Sequence, residues 1–193
     1  MVKSSMLDKV TTGGHVCFFY ESAEERLQLL ANYFQEGLAE HELCVFVTPE
    51  RPAEVIKKFK AFDLDITQAI KDGDLRIFKM DATYVPDGRF AADYMLQNVR
   101  NFIEDAKNQG YRGLRTAGEM TWLQQHLDQL QEAMKYEGAV NTLTVDSPKF
   151  TGLCLYPVKD SSTQVFIGAM HTHPLFIYDG ETRANLYYKA TVA

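Results

Sequence analysis

The chain has 193 residues, with 20 Lys and Arg against 26 Asp and Glu for a formal charge of -6, and 46% of its residues are hydrophobic, enough for one sizeable core. The basic residues are scattered, with no run able to neutralise a phosphate backbone, which sets direct DNA or RNA binding aside. No apolar run reaches the length of a membrane span and the N-terminal MVKSSMLDKVTTGG has no signal-peptide core, so the expectation is a cytoplasmic protein without membrane contact. Cys17, Cys44 and Cys154 are an odd count, each inside an apolar run, and read as reduced, buried thiols rather than a disulfide framework.

Residues 1–14 are polar, close on Gly13-Gly14 and read as a loosely held arm, with 15–193 as a single domain. His15–Tyr20 is a short, nearly all-apolar strand, as expected when both faces of a parallel sheet are covered. Leu27, Leu30, Tyr33, Phe34 and Leu38 then fall at helical spacing and predict a helix over 23–40. LCVFVT (43–48) is the second strand, punctuated by Pro49 and Pro52, after which Val55, Ile56 and Phe59 open a helix and DITQAIKDG a shorter one. LRIFKM (75–80) is the third strand and DATYVPDGR a turn-rich loop. Phe90, Met95, Val99, Phe102, Ile103 and Ala106 place a helix over 90–108, stopped by Gly110. GLRTAG (113–118) is a fourth strand, and a helix is expected from Thr121 to Asn141. FTGLCLYPV (150–158) is a fifth strand, followed by a helix through 161–170 and a hairpin-like pair in LFIYDG and ANLYYKA. Alternating strands and helices of these lengths give an α/β fold with a mainly parallel central sheet flanked by helices, and ligands in such sheets sit outside the carboxyl ends of the strands.

The first strand–helix junction has no means of holding phosphate. A phosphate loop needs glycines, so that backbone N–H groups face the anion, and a lysine; between Tyr20 and Leu27 there is neither. Ser22 and Glu25 instead fit a capping box, and Glu21, Glu24 and Glu25 would repel a triphosphate.

The order of the pieces GGHVCFFYES, EGLAEHE, LCVFVTPE, GDLRIFKMDATYVPDGRF, GYRGLRTAGEMTWL, LCLYP and HTHP, spanning His15 to Gly180, resembles the MEDS sensory domain, the methanogen/methylotroph, DcmR-type module. That resemblance implies a three-layer RecA/KaiC-like fold that has lost its phosphate loop. It further implies a signal-transduction domain, without ATPase activity, that senses a small organic ligand such as a C1 or hydrocarbon-derived compound. The expected output is a partner chain such as a histidine kinase or a transcription regulator.

Candidate ligand-binding residues are His15, Cys17, Tyr20, Glu21, Arg115, Glu119, Trp122, Tyr156 and His173. Arg115 and Glu119 are placed at the carboxyl end of the fourth strand, next to Trp122, where they suit a carboxylate or planar ligand or else form an internal ion pair. Tyr20 and Tyr156 end strands, where a phenol closes a pocket or covers core. His15 and Cys17 share a face of the first strand, and with His171 and His173 they form an alternative zinc or iron set, although no pair has the tight spacing of a metal motif. The bland reading has them packed in the sheet and His173 at a helix end, with no cofactor. A Cys17 thiolate lowered by His15 would be redox-active, whereas apolar burial would silence it. No nucleophile elbow is present, and the chain is read as a non-enzyme. The apolar runs CFFY, CVFV and LYYKA are compatible with a homodimer.

Overall fold

The structure, a computed structural model, describes residues 13–190; the arm expected over 1–14 lies outside the described residues except for Gly13 and Gly14. The elements run β1 (Gly14–Tyr20), α1 (Ala23–Ala39), β2 (Leu43–Thr48), α2 (Pro52–Lys60), α3 (Thr67–Asp72), β3 (Leu75–Lys79), α4 (Met80–Tyr84), α5 (Ala92–Asn108), β4 (Leu114–Glu119), α6 (Leu130–Asp146), β5 (Phe150–Pro157), α7 (Thr163–Thr172), β6 (Leu175–Tyr178) and β7 (Glu181–Ala184). Among the described residues seven strands form one sheet in the order β3-β2-β4-β5-β1-β6-β7, with every pairing parallel except β6 with β7.

Two cores sandwich the sheet, because side chains alternate faces along each strand. Val16 and Phe18 of β1, Cys44 and Phe46 of β2 and Leu153 and Leu155 of β5 pack with α1, α2 and α3. Cys17 and Phe19, Val45 and Val47, and Cys154 and Tyr156 face α4, α5, α6 and α7. CFFY and CVFV are therefore interior strands, and a dimer face is not to be sought there, whereas Leu186 and Tyr187 of the LYYKA run are exposed.

Three local differences from the sequence reading have identifiable causes. Residues expected to be loop after β3 form α4, because Met80 and Tyr84 lie one helical turn apart on a buried face and the Thr83 hydroxyl donates to the Lys79 carbonyl at 2.7 Å. The helix expected from Thr121 begins only at Leu130, since the chain first turns the end of the sheet in two 3-10 segments, Thr121–Gln124 and Leu127–Gln129. Gln129 ties that corner to the loop before α5 by accepting from the Phe90 N–H and donating to the Gly88 carbonyl. The last strand is Glu181–Ala184 rather than ANLYYKA. Asp179 and Gly180, both at positive φ, make the tight hairpin turn, and Asn185 ends the strand by donating its amide to the Met170 and His173 carbonyls at 2.6 and 2.7 Å.

Candidate functional site

Four side chains from four elements converge on the α6/α7 face of the sheet: His15 of β1, Glu137 of α6, Cys154 of β5 and His173 just past α7. Parallel pairing sets His15 beside Gly152, where the missing side chain leaves room for the imidazole; a Cβ built on Gly152 would sit 3.4 Å from His15 Cδ2. Ala133, Glu137 and Val140 share the buried stripe of α6, which carries the carboxylate inward. His173 follows the last turn of α7 immediately before Pro174, so its orientation is fixed by the helix end. His15 is 1% exposed, and Glu137 and His173 not at all.

The contacts are short and centred on one oxygen. Glu137 Oε2 lies 3.0 Å from His15 Nε2, 3.2 Å from His173 Nε2 and 3.3 Å from Cys154 Sγ, while Cys154 Sγ is 3.4 Å from His15 Nε2. The imidazoles are tilted against each other with centroids 3.9 Å apart. The far nitrogens identify the tautomers. Asn141 spends its amide N–H groups on the Thr172 and Gly138 carbonyls and turns its oxygen to His15 Nδ1 at 3.3 Å, so that nitrogen carries the proton. His173 Nδ1 faces the Ala169 carbonyl at 2.9 Å and is likewise the donor.

Electrostatics sharpen this picture. Burial, reinforced by the neighbouring His173, lowers the His15 imidazole to about 4 despite its contact with Glu137. Burial alone would raise the Glu137 carboxyl, but its contacts with His15 and His173 outweigh it and bring it down to about 2. Cys154 is pushed well above the ordinary thiol range, first by burial and then by the Glu137 charge, and donates its proton to that carboxylate.

Beside this cluster lies a cleft of about 250 Å³. Val45, Val47 and Thr116 form its floor, and Tyr84 with Met95, Val99 and Phe102 form its walls. Exposed Ala82, Phe78 and Tyr94 stand at its rim, and Tyr136 and Cys154 complete the lining. Cys154 thus borders both the cleft and the buried cluster. Trp122, the single tryptophan, stacks on Tyr84 with ring centroids 5.4 Å apart and so stands directly behind the cleft wall. A larger opening of about 500 Å³ lies against Glu36, Glu40, Glu42, Arg112 and Arg115, but those charges are already paired with one another: Arg112 with Glu40, and Arg115 with Glu36 and Glu42.

The β1–α1 junction is closed by its own side chains. The Glu25 N–H donates to Ser22 Oγ at 3.1 Å, and the Glu25 carboxylate accepts from the Glu21 N–H at 2.8 Å, one residue earlier than a strict capping box. Arg26, the nearest cation, is buried and bound to Glu119 and Glu50. ATP with magnesium is therefore expected neither to bind nor to be hydrolysed; micromolar affinity in a calorimetric titration would contradict this closure.

The sheet divides the nine residues singled out from the sequence. His15, Cys17, Tyr156 and His173 lie on the α6/α7 face, with the Tyr156 ring edge-on to His173. His15 and His173 belong to the four-donor cluster, whereas the Cys17 thiol points to the Leu175 carbonyl at 3.7 Å and His171 is turned away by its position two residues before His173. Of the two readings of Cys17, burial prevails: it raises the thiol well above the ordinary value, and the sulfur beside His15 is that of Cys154. Tyr20 packs on the α1 face, and Glu21 accepts from the Tyr178 hydroxyl at 2.7 Å. Arg115 is not at the carboxyl end of β4 but is its second residue, buried against α1 and paired with Glu42 and Glu36. Glu119 is spent on Arg26, and Trp122 is a core side chain. None of the nine lines the cleft, which lies on the face of the sheet rather than beyond the strand ends. Glu137 and Cys154 were not among them.

Fold and site together define a three-layer α/β domain with a mostly parallel sheet, whose first strand–helix corner is closed by carboxylates and an arginine. Solved structures share the fold: a KaiC-like protein from the hyperthermophilic archaeon Pyrococcus horikoshii OT3 (17% identity, 86% of this chain and 70% of that chain covered, TM-score 0.59), and an uncharacterised protein from Pyrococcus horikoshii in complex with an unknown peptide (12% identity, 88% and 80% covered, TM-score 0.63). No curated protein matches the chain. The MEDS family model, described as MEthanogen/methylotroph, DcmR Sensory domain, matches residues 14–174, and the chain belongs to that family. Membership gives it a role in sensing and signal transduction. Among the described residues no helix is long and apolar enough to cross a membrane.

Proposed function

We propose that this MEDS chain senses a small, mainly apolar organic molecule, of the size of a C1 or short hydrocarbon derivative, held in the cleft between α4, α5 and the sheet. The cleft carries this reading. Its apolar floor and walls, with a few polar groups in Thr116, Asn98 and Tyr84, match the usual composition of small-molecule sites, and about 250 Å³ falls below the roughly 300–1,000 Å³ of drug-sized pockets, which selects a small ligand. Phe78 and Tyr94 place exposed aromatic surface at the rim, where occupancy would alter what a partner chain, a histidine kinase or a transcription regulator, meets. A role without catalysis accords with the three thiols, all raised by burial, Cys44 to about 12.

Trp122 supplies the assay. Short-chain alcohols, halocarbons and related C1 compounds titrated into the protein are expected to shift its emission through Tyr84 and to raise the melting temperature. Ala82→Phe, at the exposed rim, should block both responses while leaving the unliganded melting temperature unchanged. A ligand that binds equally well to the blocked variant would place the sensing site elsewhere.

A further inference from the structure

We propose that His15, Glu137, Cys154 and His173 bind one divalent transition-metal ion, zinc in the first place, in a closed four-ligand site. The argument begins with where the lone pairs point. Both imidazoles hold their Nδ1 proton on an acceptor, Asn141 Oδ1 for His15 and the Ala169 carbonyl for His173, so both Nε2 lone pairs face Glu137 Oε2 at 3.0 and 3.2 Å. Acceptors at hydrogen-bond distance repel one another unless a proton or a metal cation sits between them. His173 Nε2 and Glu137 Oε1 also have no hydrogen-bond partner among the described residues, although both atoms are fully buried. Metal-bound histidines characteristically donate their other ring N–H to a carbonyl or carboxylate; here a main-chain carbonyl and a side-chain amide oxygen fill that place.

Spacing and chemistry agree. Tetrahedral zinc, with bonds of about 2.0–2.3 Å, sets its ligand atoms about 3.3–3.8 Å apart. The donor contacts here are 3.0, 3.2, 3.3 and 3.4 Å, and all four donor atoms lie within 4.8 Å of one another, so small side-chain shifts bring them to tetrahedral spacing around the ion. Two imidazoles, a thiolate and a carboxylate suit a metal of borderline softness. Binding converts the Cys154 thiol to thiolate and releases one proton to solvent per ion, and the two anionic ligands then neutralise the dication. A net-neutral centre is far less costly to bury than a bare carboxylate. With four protein ligands there is no open position for an activated water, so the ion is structural or regulatory rather than hydrolytic. The site shares only Cys154 with the cleft of the sensing reading, and either can fail without the other.

The test uses the tag-free chain, reduced, stripped with a chelator and titrated with cobalt(II), alongside elemental analysis of the protein as purified. About one metal ion per chain is expected, with a sulfur-to-cobalt charge-transfer band. Cys154→Ser should abolish the band, and Cys44→Ser, on the opposite face of the sheet, should retain it. Asn141→Ala, which frees the His15 ring, should weaken cobalt binding by about 10–100-fold with an unchanged circular dichroism spectrum. Should Cys154→Ser fail to fold, Glu137→Gln, a same-shape change at the central oxygen, takes its place with the same weakening expected. Folded, reduced wild type that takes up only trace metal and cobalt overturns the proposal in favour of a protonated His–Glu–His cluster; a band that survives Cys154→Ser overturns the ligand set.

Discussion

Arg115→Ala loses about 3–5 kcal/mol of folding stability in urea denaturation, the range for removing one member of a buried ion pair. The guanidinium is 1% exposed, donates to Glu42 at 2.5 Å, to the Tyr33 carbonyl at 3.0 Å and to Glu36 at 3.2 Å, and lies 4.7 Å from the centroid of the Tyr33 ring. Alanine strands the mostly buried Glu42 carboxylate and the Tyr33 carbonyl together, whereas Glu36 is open enough to be solvated on its own. Glu42→Gln added to Arg115→Ala should recover part of the loss, since the stranded charge is then gone. Responses to cleft ligands should survive wherever the protein stays folded, because Arg115 is on the other face of the sheet. A loss under about 1 kcal/mol would equate the network with exposed surface pairs and undo the argument.

Trp122→Ala is expected to cost a further class of energy, about 3–5 kcal/mol from cavity formation. The indole stacks on Tyr84 and Phe90, with centroids 5.4 and 5.0 Å apart, and packs in the core beside α6. Trp122→Phe should cost much less than the volume change suggests. Trp122 Nε1 is buried without a hydrogen-bond partner among the described residues, and deleting an unsatisfied donor recovers part of a desolvation cost of about 1–3 kcal/mol. Calorimetric melting of both variants checks this; equal losses for Phe and Ala would mean that the ring's full outline, not its burial, sets the stability.

Much of the architecture was legible because each strand of a covered parallel sheet is an unbroken apolar run and each helix has its own stripe. The closed corner was legible too, since Ser22 and Glu25 act over four residues of sequence. What escaped was long-range. That Cys154 rather than Cys17 meets His15 depends on the offset between β1 and β5, which no local pattern encodes. Glu137 did leave a signal: it stands on the apolar stripe of Ala133 and Val140, where a carboxylate demands a partner. Arg115 was misplaced because GLRTAG shows that a strand exists but not which of its ends meets solvent, and Trp122 because a tryptophan after a strand reads equally as rim or core.

Cys154 gives the molecule one wall with two sides. Its sulfur stands 3.3 Å from Glu137 and 3.4 Å from His15, while the same residue lines the cleft. Any molecule in the cleft that favours one position of that sulfur must change the affinity of the four donors for the proposed ion, and linkage makes the effect reciprocal, with the ion changing the molecule's affinity by the same factor. With both proposals in place, the free metal level would set the threshold at which a cleft ligand is read.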